Sequence, residues 1–300
     1  MIMNNLKAKD YISSLKPIWC PGCGDYGVLN AIAMAFEELS IPPEKIAVIS
    51  GIGCSSRLPG YLNTYGFNSI HGRALPIACG LKIARDDLTV IAVGGDGDGF
   101  SIGGGHLSHA IRRNVDISYF IMDNQIYGLT KGQASPTTPF GDVTSTTSYG
   151  NIDTPIWPIS FTLGYGATFV AQSTPLDIKH LATMMVEAIK HPGFAFVNII
   201  SPCVTYRGKE MYQYIRDRMY YIDKEEGYDP KDLQAAWRFA NDRERIPLGV
   251  FYKKEADTYR DRIDRVKEKL GSKKMDIEME KLAFVPDTGG LGEKDVFIPG

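Results

Sequence analysis

Leu88-Thr89-Val90-Ile91-Ala92-Val93-Gly94-Gly95-Asp96-Gly97-Asp98-Gly99 is the stretch on which the reading of this chain turns. An apolar run of strand length ends in glycines and two aspartates. The segment 102–113 then has helical spacing, and 117–122 is a second apolar run, ending in Asp123-Asn124-Gln125-Ile126-Tyr127. Strand, glycine turn, helix and strand in that order predict parallel pairing in an open α/β sheet. Glycines around Asp96 let backbone N–H groups approach a diphosphate. Asp96 is a hard oxygen ligand suited to Mg²⁺, which takes few protein ligands besides substrate phosphates. Asn124 offers a second oxygen and the Ile126 carbonyl a third.

Outward from this motif the alternation continues. Residues 28–39 have helical spacing, 46–50 read as a buried strand, and 167–171 and 195–200 are further strands. Thr174-Pro175-Leu176-Asp177 predicts a helix start with Thr174 as cap and Pro175 as first helical residue. In open α/β sheets ligands sit beyond the carboxyl ends of the strands. Cys54, Asp96, Asn124 and Cys203 each follow a predicted strand, so one edge carries the function. The division expected is an α/β domain over 1–203 and an arm over 204–300. In that arm 230–241 and 255–270 read as exposed helices and 285–300 as an extended tail.

Composition excludes several classes. The 300 residues are 44% hydrophobic and 23% charged, which is ordinary for a globular protein. The net charge of −2 gives no basic field for nucleic acid. No apolar run is long enough for a membrane span, and the N-terminus lacks an export pattern. A cytoplasmic location is expected, where five cysteines stay reduced. Cys20 and Cys23 form a C-x-x-C pair, while Cys54 and Cys203 stand singly. Four thiolates suit structural zinc or an iron–sulfur cluster, and spacing alone does not choose. Cys79, among small apolar residues, reads as a structural thiol.

Gly95-Asp96-Gly97 with Asn124 resembles the thiamine diphosphate motif. Together with Cys20-Pro21-Gly22-Cys23-Gly24, His71-Gly72-Arg73-Ala74 and Tyr127-Gly128-Leu129-Thr130-Lys131-Gly132-Gln133, it resembles the β subunits of 2-oxoacid:ferredoxin oxidoreductases. The resemblance covers about residues 15–210, and the C-terminal segment is closer to the 2-oxoglutarate type. It implies a [4Fe–4S] cluster on Cys20, Cys23, Cys54 and Cys203, and Mg²⁺ on Asp96, Asn124 and the Ile126 carbonyl. It also implies thiamine diphosphate against Ile52, Gly53, Cys54, Ser55, His71, Gly95, Gly97, Asp98, Gly128 and Leu129. His71 and Lys131 would lie near the reacting end. Arg57, three residues past Cys54, is a candidate for a substrate carboxylate through its planar fork, with a surface role the alternative.

The implied activity is coenzyme A-dependent oxidative decarboxylation of a 2-oxoacid to acyl-CoA and CO₂, with electrons leaving through the cluster to ferredoxin. Pyruvate or broad specificity is an alternative to 2-oxoglutarate. The sequence has no second α/β domain for the aminopyrimidine ring, so the resemblance places it on an α subunit, in an α₂β₂ assembly. Two rivals are a non-oxidative thiamine decarboxylase subunit with structural zinc and a non-catalytic iron–sulfur carrier.

Overall fold

Strands buried on both faces need apolar residues at every position, and the central strands here have them. In the computed structural model, which describes residues 6–270, the chain runs α1 (Asp25–Leu39), β1 (Ile46–Ser50), β2 (Tyr65–Asn68), α2 (Ala74–Ala84), β3 (Thr89–Gly95), α3 (Asp96–Phe100), α4 (Gly104–Arg113) and β4 (Ser118–Asp123). It continues through α5 (Pro158–Gly164), β5 (Phe169–Ser173), α6 (Ile178–Lys190), β6 (Ala195–Ile200), α7 (Glu210–Arg218), β7 (Met219–Tyr221), α8 (Leu233–Ala240) and β8 (Ile246–Lys253). The described residues up to Tyr259 belong to one compact unit. A second unit begins at Arg260, and its described part lies within helix α9 (Tyr259–Leu270). The expected tail, 285–300, lies outside the described residues.

Eight strands form one sheet in the order β2-β1-β3-β4-β6-β5-β8-β7. All neighbouring pairs are parallel except β5 with β8. Alternate residues of the central strands feed two cores. Ile91 and Val93 of β3 face one core with Val28 and Ile32 of α1 and Leu181 and Met185 of α6. Val90 and Ala92 face the other, with Leu75 and Ala78 of α2, Leu107 and Ile111 of α4 and Phe239 of α8. The result is helices on both faces of a mostly parallel sheet, as expected from the alternation.

Three local expectations are corrected. Helix α6 is capped by Asp177, whose carboxylate accepts the His180 N–H at 3.0 Å. The Thr174 hydroxyl donates instead to the Ile200 carbonyl at 2.9 Å, tying the preceding loop to β6. Helix α8 is not an exposed helix, because Ala235, Ala236, Phe239 and Ala240 are buried. The charged texture after Cys203 also concealed β7 and β8, which extend the sheet beyond β5.

The topology sets the site. Strands β1, β3, β4 and β6 are consecutive neighbours. Their carboxyl ends lead directly into the segments holding Cys54, Asp96, Asn124 and Cys203. Four loops distant in sequence therefore stand side by side.

Candidate active site

Gly95 ends β3 and Asp96 begins α3, so the aspartate sits at a strand-to-helix turn. Gly97 allows the next layer to approach. A Cβ there would stand 2.1 Å from the Tyr127 ring, and the Tyr127 hydroxyl donates to the Gly97 carbonyl at 3.1 Å. Asp96 is buried, at 1% exposure. Its carboxylate accepts from the Asn124 N–H at 3.4 Å and the Thr137 hydroxyl at 2.8 Å. Thr137 also lies 2.9 Å from Asp123, itself buried. One hydroxyl carries one proton, so it cannot donate to both carboxylates at once. Burial pushes both acids up, with the Asp96 charge adding to the rise at Asp123. A cation beside Asp96 would relieve that excess of acceptors. The donor set therefore fits Mg²⁺, with Asn124 Oδ1, which already accepts the Ile126 N–H at 3.1 Å, as a neighbouring oxygen.

Asp98 does different work. It accepts the Ile52 N–H at 2.9 Å and the Gly72 N–H at 2.8 Å, joining the loops after β1 and β2 to the turn after β3. Burial raises its pKa, and those two N–H groups oppose the rise. His71 Nδ1 lies 3.2 Å from Asp98 Oδ1 without hydrogen-bond geometry.

One cleft collects Ile52, Gly53, Cys54, Ser55, His71, Gly95, Asp96, Gly97, Asp98, Asn124, Ile126, Gly128 and Leu129, the whole set suggested for the cofactor. Tyr127 and Thr130 line it as well and were not assigned from sequence, although Tyr127 closes the Asp-Asn-Gln-Ile-Tyr string. The chain alone encloses about 60 Å³ there. Arg57 and Lys131 are not in the lining. Arg57 lies in the 3₁₀ turn Ser55–Tyr61, where its charge lowers the Cys54 pKa. Lys131 is exposed and has a φ of 78°.

The cysteines meet at one end of this cleft. Cys23 N–H donates to the Cys20 carbonyl at 3.0 Å, closing the C-x-x-C turn. Trp19 Nε1 donates to the Cys54 carbonyl at 2.7 Å, fixing that loop against the first. A Cβ on Gly128 would lie 3.8 Å from the sulfurs of both Cys54 and Cys203. Burial drives the Cys23 thiol far above its usual range and the Cys54 thiol to about 11, and neighbouring cysteines add to both. Burial also raises Cys203, while backbone N–H groups of Tyr206, Thr205 and Arg207 oppose the rise. Buried thiols that repel one another as thiolates require compensating positive charge. Asp25 carried no functional signal in the sequence. It is buried beside Cys23, accepts the Ser201 hydroxyl at 2.9 Å, and is pushed up to about 6 by burial. Cys79 lies apart on α2, half-buried, its thiol raised to about 11 by burial.

Among the described residues no three Cys, His, Asp or Glu side chains converge as they would around one ion.

Residues 18–199 match the family model described as thiamine pyrophosphate enzyme, C-terminal TPP binding domain. Residues 203–268 match the family model for the C-terminal part of the pyruvate ferredoxin oxidoreductase beta subunit. The chain is 40% identical over 268 residues to 2-oxoacid:ferredoxin oxidoreductase 2, subunit beta, of Aeropyrum pernix, covering 86% of this chain and 87% of that one. It belongs to the family of 2-oxoacid:ferredoxin oxidoreductase β subunits. The β subunit is also 36% identical to 2-oxoglutarate synthase subunit KorB of Methanocaldococcus jannaschii, over 86% of this chain and 95% of that one. Its fold matches 2-oxoglutarate:ferredoxin oxidoreductase from Magnetococcus marinus, solved with 2-oxoglutarate, coenzyme A and succinyl-CoA bound. The TM-score is 0.88 and the identity 43%, over 94% of this β subunit and 98% of that chain.

Proposed function

We propose that this β subunit, with an α subunit in an α₂β₂ complex, converts 2-oxoglutarate and coenzyme A to succinyl-CoA and CO₂ and passes the electrons to ferredoxin. The observation that carries the reading is one cleft in which Cys54, Asp96 and Asn124 share a wall. Asp96, Asn124 and the Ile126 carbonyl would hold Mg²⁺, and Cys20, Cys23, Cys54 and Cys203 a [4Fe–4S] cluster. Bound thiamine diphosphate supplies the carbon chemistry and the cluster one-electron transfer. Asp98 orients the Ile52 and Gly72 amides, and His71 stands at the rim as the candidate acid/base. Lys131 and Arg57 would approach substrate only in the assembled complex. The small volume enclosed by this chain favours a site completed by the α subunit's pyrimidine domain. The domain reading remains a diphosphate-binding unit over 1–203 with a C-terminal extension from 204 onward, whose β7, α8 and β8 complete the same sheet and core. No helix among the described residues is long and apolar enough to cross a membrane, and the cytoplasm is the proposed location.

Structural zinc is less favoured, because thiols beside a thiamine site call for an electron acceptor, and zinc has no redox chemistry. A non-catalytic carrier is less favoured because Asp96, Asn124 and the glycine turn form an intact donor set. The 2-oxoglutarate preference follows the names of the relatives and is tested against pyruvate.

The test is anaerobic purification with the α subunit. Iron should approach four per chain, and viologen reduction should require both 2-oxoglutarate and coenzyme A. Asp96→Ala should lose thiamine diphosphate while keeping iron, and Cys79→Ser should keep both. Stoichiometric zinc without iron, or equal turnover of pyruvate, would overturn the corresponding part.

A further inference from the structure

Beside the cofactor cleft lies a second, larger cavity that the proposed reaction does not use. Its volume is about 400 Å³, within the roughly 300–1,000 Å³ of small-molecule sites. Its walls include Ile159, Ile200, Met211 and Phe251, and its residues come from strands β4, β5, β6 and β8, helices α5, α7 and α8, and the segments 125–157 and 241–245.

Its floor is short of a donor. Asn198 is fully buried and lines the cavity. Its Nδ2 donates to Gln172 Oε1 at 2.9 Å and lies 3.4 Å from Asp123 Oδ2. Gln172 is itself oriented, because its Nε2 donates to the Pro247 carbonyl at 2.8 Å. Gln172 Oε1 is therefore the acceptor that faces Asn198 Nδ2, which fixes the Asn198 amide orientation. Asn198 Oδ1 is left buried with no partner. A buried carbonyl of this kind calls for a donor from the cavity.

The mouth has the opposite need. Arg243 is exposed at the rim, stacked 3.8 Å over the Trp157 ring. Its guanidinium donates to the Ala240 carbonyl at 2.8 Å, Asn241 Oδ1 at 3.1 Å and Ser160 Oγ at 3.5 Å, all neutral. Its neighbour Arg245 is instead paired with Asp242 at 2.9 Å. Arg243 thus supplies a cation, stacked on an aromatic ring, at the exposed rim of the cavity, while Asn198 is buried.

We propose that this cavity is a binding site for a small monocarboxylate with an apolar body and a hydrogen-bond donor at its far end. The carboxylate meets Arg243, the body fills the apolar walls, and the donor reaches Asn198 Oδ1. The site is separate from the thiamine cleft, although Asp123 and Thr137 border the cavity and Thr137 also bonds Asp96.

The probe is 3-(4-hydroxyphenyl)propanoate, titrated calorimetrically into the purified complex. Two analogues serve as comparators, one lacking the hydroxyl (3-phenylpropanoate) and one lacking the charge (the corresponding amide). The probe should bind with millimolar or tighter affinity, and each analogue should bind about tenfold more weakly, the scale of one lost polar contact. Arg243→Gln should erase the preference for carboxylate over amide while keeping the preference for the hydroxyl. No binding of the probe at about 10 mM, equal binding of all three compounds, or an α-subunit side chain filling the cavity in the complex would overturn the assignment. The analogue comparison on the unaltered protein decides the matter even if the variant does not fold.

Discussion

Gly24→Ala isolates the packing that brings the cysteine loops together. Gly24 has φ −60° and ψ −26°, a conformation alanine adopts freely, so backbone strain is not the issue. As the residue capping α1 it loses up to about 1 kcal/mol on substitution. The new Cβ, however, would stand 2.5 Å from Ser201 Oγ, 2.6 Å from Pro202 Cδ and 2.9 Å from Pro202 N. Two of those atoms belong to a proline ring fused to the backbone, and Gly24 N–H already donates to the Pro202 carbonyl at 3.1 Å. Relief therefore requires the Cys20–Cys23 turn and the Cys203 loop to part by about half an ångström or more. Overpacking of this kind costs about 1–3 kcal/mol, which adds to the capping change. The expected result is a lower melting temperature and a marked loss of iron and acid-labile sulfide in anaerobic preparations. Thiamine diphosphate affinity should stay within about threefold (under 1 kcal/mol), because Asp96 and Asn124 follow β3 and β4 and do not carry these loops. Full iron with an unchanged melting temperature would show that the two loops do not pack as described.

Gly80→Ala, in the interior of α2 with no atom within 4 Å of the new Cβ, should stabilise the protein by about 0.5–1 kcal/mol in thermal melts. His191 is held at about pKa 4 by burial, with the Lys253 charge adding to the depression and Asp116 opposing it. The unfolded chain therefore binds the extra proton. Stability is complete above about pH 6.5 and falls as pH drops toward 4, by about 2 kcal/mol after allowance for solvent screening. Denaturant titrations of His191→Gln should show this slope flattened. Gly128→Ala should retain iron, since its Cβ meets Cys54 and Cys203 only at ordinary contact distance, whereas Gly128→Leu should lose it.

The central strands and the candidate ligands that follow them were legible for one reason: each of those residues follows a run apolar enough to announce a buried strand. Cys54 follows β1, Asp96 follows β3, and Asn124 follows β4. The rest lacked such a marker. Strand β2 is exposed throughout, so no apolar run signals it. Strand β8 begins among the charges of 242–245 and contains Pro247, which argues against a strand. Asp25 follows the C-x-x-C turn with no signal of its own, and only the fold buries it against Cys23. Asn198 sits inside an apolar strand, where nothing local distinguishes a satisfied amide from one missing a donor. The large cavity draws on residues from 123 to 251 and has no motif at all.

The closeness of the two proposed cofactor sites follows from strand order more than from any single contact. Neighbouring strands lie about 4.8 Å apart, and β1, β3, β4 and β6 occupy four adjacent places. A cluster spanning the loops after β1 and β6 must pass over the ends of β3 and β4, where Asp96 and Asn124 stand. Gly128 marks the crossing, since a Cβ there would lie 3.8 Å from Cys54 and Cys203 sulfurs and 3.9 Å from Asn124 Nδ2. Cys54 both lines the cofactor cleft and faces Cys203. Any sequence that kept the two motifs but exchanged β3 or β4 with an outer strand would separate the sites by one or two strand spacings. The electron transfer proposed between the thiamine site and the cluster would therefore depend on this topology.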